Sequence, residues 1–83
     1  MELQIFSVFD KKTTVYGKPF FAHNSGHALR LIQDEVDNKD SQLSKYSEDF
    51  QLCAIGSFDD RNGSIDPSDV NVVIEIVELS KKE

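Results

Sequence analysis

The sequence predicts an α+β fold, a small and mostly antiparallel sheet in the order β-β-α-β-β with one main helix packed on it. Three observations lead there. Runs rich in β-branched and aromatic residues occupy both halves of the chain, and one stretch between them has helical periodicity. The strongest turn signal, Asp59-Asp60-Arg61-Asn62-Gly63, separates two of the extended runs, because Asn-Gly readily takes the positive φ that tight turns need.

Leu3 to Phe9 opens the chain with apolar residues at both parities, Leu3, Ile5 and Phe9 on one and Phe6 and Val8 on the other. That pattern predicts a strand covered on both faces, central in the sheet or at a dimer contact. Asp10 to Thr14 is turn-prone, Val15-Tyr16 precedes Gly17-Lys18-Pro19, and Phe20-Phe21-Ala22 resumes an extended pattern, which together predict a long, irregular hairpin. Pro19 cannot donate to a ladder, so the second arm starts late or follows an edge. Asn24 or Ser25 offers a helix cap, and Ala28, Leu29, Ile32 and Val36 then recur at helical spacing, predicting a helix over about residues 25–37. Ser41 to Asp49 carries Leu43 and Tyr46 three apart, as a helical turn or a packed loop does. Phe50 to Phe58 reads as a strand that Gly56 interrupts with a bulge. Val70 to Leu79 reads as a long Val/Ile strand, and residues 80–83 as a disordered tail.

Eighty-three residues make one domain, spanning 1–83, near the lower size limit for a core without staples. A chain this small gains from burying further surface, so a homodimer is expected. The lone Cys53 permits no internal disulfide and no metal-type cysteine spacing, and it suits a reducing cytoplasm. The amino terminus lacks a basic, apolar leader and no apolar stretch is membrane-length, so neither export nor a membrane partner is expected. Without export, the sequon Asn62-Gly63-Ser64 is a chance match. A net charge of −6 argues against a surface that clings to nucleic acid all round. The charge is polarised, however: residues 1–33 balance to +2 and residues 34–83 to −8.

Few residues suggest chemistry. His23 and His27 have the spacing of a helical metal pair, but His23 precedes the cap and no third ligand is near, so no metal is expected. Asp59 to Asp69 resembles a calcium loop, yet Phe58 would fall at the first ligand position and no flanking helices are predicted. Cys53 lies in a strand, where a thiol is buried and inert. No nucleophile elbow, phosphate loop or dinucleotide fingerprint occurs, so the chain is read as non-enzymatic and without a cofactor. Between residues 11 and 33 there is no acid, and Lys11, Lys12, Tyr16, Lys18, Phe20 and Arg30 interleave cations with aromatics. Single-stranded DNA platforms have this composition, with bases stacking while cations follow the backbone. The same residues also suit a core and a lysine-guarded sheet edge.

The segments IFSVFDKKTTVYGKPFFAHN and LSKYSEDFQLCAIGSFDDRNGSI, with the helix containing Ala28 and Arg30 between them, carry a resemblance that covers nearly the whole chain. In that order they resemble the small non-structural protein of gokushovirus-type Microviridae, the single-stranded DNA phages. Ser47 stands where the family pattern leads to proline, which loosens the local turn. The resemblance implies a protein that is neither catalytic nor part of the capsid, assisting viral DNA replication or packaging in the cytoplasm of an infected bacterium. Weak, salt-sensitive binding of single-stranded DNA through residues 11–30 is the leading expectation. Its rival is a dimeric protein–protein adaptor whose acidic face recruits a basic viral or host protein.

Overall fold

The computed structural model describes residues 1–80. Five strands form one sheet: β1 (Glu2–Asp10), β2 (Val15–Tyr16), β3 (Phe20–Ala22), β4 (Phe50–Asp59) and β5 (Ser64–Glu75). Three helices accompany them, α1 (Ser25–Asp37), α2 (Gln42–Lys45) and α3 (Ile76–Ser80), with a 3-10 turn at Ser47–Asp49. Every strand pairing is antiparallel. The α+β class stands, but the order β-β-α-β-β does not: three strands precede α1, and a helix follows the last strand.

β1 is central, as its two apolar faces predict. β4 runs along one side of it from Glu2↔Asp59 to Asp10↔Phe50, and β2 and β3 share the other side. The pairs Phe9↔Tyr16 and Phe6↔Phe20 differ in register by one residue, which Gly17-Lys18-Pro19 takes up. The expected hairpin therefore has a second arm broken in two. The break is tied down, because Gly17 N–H donates to the Val8 carbonyl at 2.8 Å and the Ser7 hydroxyl donates to the Gly17 carbonyl at 2.8 Å.

The last strand departs from the Val70 to Leu79 reading at both ends. The turn places Asp59 opposite Ser64, so the polar residues that follow are zipped onto β4 whatever their propensity. Pro67 is tolerated because β5 is an edge strand. At the far end Glu75 is opposite Gln51, next to the start of β4, and residues beyond it have no strand to pair with. Ile76 and Leu79, three apart, instead turn one face of α3 inward, and Ile76 is fully buried. Ser80 closes α3 rather than opening a tail; the remainder of the expected tail lies outside the described residues.

α1 has the predicted limits. Asn24 caps it, its Oδ1 accepting from His27 N–H at 2.9 Å, and Ala28, Ile32 and Val36 form the buried stripe. These three join Phe6, Ala22, Leu52 and Ile76 in the core. Because side chains alternate across a pleated strand, Phe6, Val8, Phe20, Phe50 and Leu52 face the helices. Leu3, Ile5, Ser7, Phe9 and Cys53 take the opposite parity and belong to the other face, over which no helix lies among the described residues. No described helix is long and apolar enough to cross a membrane.

Candidate functional site

The residues singled out from sequence sit around the first of two similar hairpin loops. Residues 11–14 join β1 to β2, and residues 60–63 join β4 to β5. Each loop is opened by an aspartate that organises it: Asp10 Oδ1 accepts from Lys12 N–H at 2.9 Å, and Asp59 Oδ1 from Arg61 N–H at 3.0 Å. Each is closed by a residue at positive φ, Thr14 at 59° and Gly63 at 75°, whose N–H returns to the opening aspartate's carbonyl. The calcium-loop resemblance thus resolves into a hairpin turn between strands. The Asp59 carboxylate in it is held below its ordinary range by the Arg61 side chain at 3.1 Å and then by Arg61 N–H.

The six candidates divide. Lys11 Nζ lies 2.9 Å from Glu75 Oε1, and Gln51 Nε2 donates to Glu75 Oε2 at 2.7 Å. These two donors, Lys11 foremost, hold the Glu75 carboxyl below its usual range, and the lysine's charge is committed within the fold. Lys12 and Lys18 are exposed and have no ion-pair partner among the described residues. Tyr16 is 45% exposed, with its ring 4.5 Å from that of Phe9. Phe20 turns inward, stacked at 5.9 Å on the buried Phe6, and Arg30 is on the exposed side of α1. Lys11, Lys12, Tyr16 and Lys18 therefore belong to the hairpin, Phe20 to the core margin and Arg30 to the helix.

On the helix side of the sheet a groove of about 650 Å³ opens between this hairpin, α1 and α2. Val8, Val15, Phe20, Ile32, Leu43 and Phe50 give it apolar walls, with Asp10, Glu35 and Lys18 as the charged groups lining it. Tyr16 also lines it, whereas Lys11, Lys12 and Arg30 do not. Sequence reasoning missed the groove, although the Leu43 and Tyr46 spacing pointed to a packed element there. Only tertiary pairing brings Leu43 and Phe50 against Val15 and Phe20.

The other candidates take structural places. His23 and His27 stack with ring centroids 5.1 Å apart, and His27 Nδ1 accepts from His23 N–H at 3.1 Å. Among the described residues no three His, Cys, Asp or Glu side chains cluster as metal ligands do. Cys53 is buried, and burial, followed by the charge of Glu75, pushes its thiol pKa up, away from the reactive thiolate.

Comparisons with known proteins agree with one another. The family model described as Phage ORF5 protein matches residues 3–79. Protein ORF5 of Chlamydia phage 1 is 35% identical over 77 residues, covering 88% of this chain and 80% of the relative. No solved structure matches.

Proposed function

The chain belongs to the Phage ORF5 protein family, and from that premise we propose that this Microviridae phage protein is an accessory factor acting by binding rather than catalysis. Its groove takes a segment of a viral or host protein that combines apolar with basic side chains, and through that partner it assists viral DNA replication or packaging in the infected bacterium. The observation that carries this reading is the groove's composition, apolar walls with Asp10 and Glu35 among them, on a chain of net charge −6. Apolar side chains gain by leaving water there, and the carboxylates favour a cationic neighbour over a phosphate.

Single-stranded DNA is a second reading, favoured by one observation. Among the described residues Lys12 and Lys18 have no ion-pair partner, and they lie on the hairpin that carries the half-exposed Tyr16 ring. One experiment separates the two. A labelled peptide of alternating lysine and leucine, and a labelled oligothymidine, are each titrated with the protein by fluorescence anisotropy at low and moderate salt. The adaptor reading expects the peptide to bind and Leu43→Asp to abolish that binding. Saturable oligonucleotide binding that falls steeply with salt and is lost in Lys12→Glu/Lys18→Glu reverses the order of the two readings.

A further inference from the structure

The chain has asparagine at Asn24, Asn38, Asn62 and Asn71, and only Asn62, in the β4–β5 loop, is followed by glycine. An asparagine carboxamide is open to attack by the main-chain nitrogen of the next residue, because the two are tethered and attack closes a five-membered ring. A Cβ on that next residue hinders the approach and restricts the backbone that must turn to allow it; Gly63 has none.

The loop brings the reacting groups together. Asn62 Oδ1 accepts from Ser64 N–H at 2.9 Å, a hydrogen bond that arches the carboxamide over the intervening Gly63 peptide. The same N–H supports the negative charge that gathers on Oδ1 when Cγ is attacked. Residues 60–71 are all exposed, and a Cβ built at Gly63 meets nothing within 4 Å, so no described side chain covers the peptide. The Gly63 N–H donates to the Asp59 carbonyl at 2.8 Å, but this bond closes an exposed loop, and such bonds open at small cost. Asn38 provides the internal comparison: its Oδ1 accepts from Asp40 N–H at 3.1 Å in the same arrangement, with Lys39 in place of glycine. Asn24 is turned to its cap, accepting from His27 N–H at 2.9 Å, and Asn71 lies within β5.

We propose that Asn62 is a self-modification site, deamidated by the main chain of its own loop. The Gly63 nitrogen gives its proton to hydroxide and bonds to Asn62 Cγ; the carboxamide nitrogen takes a proton from water and leaves as ammonia. Water then opens the succinimide at one carbonyl to give aspartate, or at the other to give isoaspartate. The two products differ in effect. Aspartate keeps an acceptor for Ser64 N–H, as Asp10 and Asp59 do in their loops, and the hairpin survives with added negative charge. Isoaspartate routes the main chain through the former side chain and lengthens it by a methylene. The loop then no longer fits the Asp59↔Ser64 pairing that starts the β4–β5 ladder. The groove is built by residues 8–50, so the modification does not depend on what the groove takes.

To test this, the full chain is held for days in mildly alkaline buffer, folded or in urea, and mapped by peptide mass spectrometry, with isoaspartate counted by enzymatic methylation. In the folded chain Asn62 loses its carboxamide faster than Asn38 by about tenfold or more. It does so within about tenfold of its own rate in urea. The isoaspartate fraction unfolds at lower urea than the unmodified chain, whereas Asn62→Asp, which carries the other product, keeps the wild-type midpoint. Loss spread evenly over the asparagines, a folded rate below the rate in urea by about a hundredfold or more, or an isoaspartate form as stable as the wild type overturns the proposal.

Discussion

Replacing Gly56 by alanine tests a close approach of β4 to β5. A Cβ at this position lies 2.7 Å from the Asp66 carbonyl oxygen and 3.3 Å from Pro67 Cα, both main-chain atoms of β5, so no rotamer change relieves it. Ordinary contact begins near 3.4 Å, and the strands must part by roughly 0.7 Å where the ladder spacing is only about 4.8 Å. Loss of one or two ladder hydrogen bonds at about 1 kcal/mol each is the expected cost. Against this stands a gain of about 0.4–1 kcal/mol from the stiffer unfolded chain. The net destabilisation is about 1 kcal/mol, read as a lower urea midpoint with an unchanged slope. Gly63 provides the contrast, for a Cβ there meets nothing within 4 Å and the residue is glycine because φ is +75°. Asparagine tolerates that backbone, so Gly63→Asn stays near the wild type while Gly56→Asn falls at least as far as Gly56→Ala. A Gly56→Ala protein as stable as the wild type refutes the close approach, and with it the register between β4 and β5.

Four further outcomes follow from the same physical terms. Thr14 is a β-branched residue at positive φ, so Thr14→Asn stabilises the protein by about 0.5–1 kcal/mol, read as a higher urea midpoint; no rise means the loop relaxes in solution. Asn24→Ala removes the acceptor for His27 N–H and lowers stability by about 1 kcal/mol, measured by the same titration. Glu75, with its pKa depressed by Lys11 and Gln51, adds stability that is present above the ordinary carboxylate range and lost as pH falls through the lowered value. Lys11→Met therefore destabilises the protein at neutral pH, and its difference from the wild type shrinks in acid; a pH-independent difference contradicts the ion pair. Cys53 reacts with a thiol reagent only as the protein unfolds, so its labelling rate follows urea, and prompt labelling of the native protein would show that the strand is not closed over it.

Local signals were legible where local chemistry decides. The two-faced apolar pattern of Leu3 to Phe9 placed the central strand, the cap at Asn24 and the Ala28, Ile32, Val36 stripe placed α1, and Gly56 marked the irregularity seen between Ala54 and Gly56. What depended on partners was not legible. Residues 64–69 are strand only because the turn hands them to β4, and residues 76–80, β-rich by composition, coil because β4 has ended. The site suffered most from this. A basic, aromatic string in sequence is divided once Phe20 turns to the core and Lys11 closes on Glu75, sixty-four residues away along the chain. The groove's walls come from residues 8–50, and no window of a few residues contains them together.

The central position of β1 governs how the protein is made as well as how it stands. Its long partner is β4, so this apolar strand waits for residues 50–59 before its second side is covered. Until then only the short, broken arm of β2 and β3 shields it. Closing so long a loop is slow compared with forming α1, and the emerging chain passes through a stage with a helix in place and an unpaired strand edge exposed. Emergence of residues 50–59 is therefore the step that separates a foldable nascent chain from an aggregation-prone one.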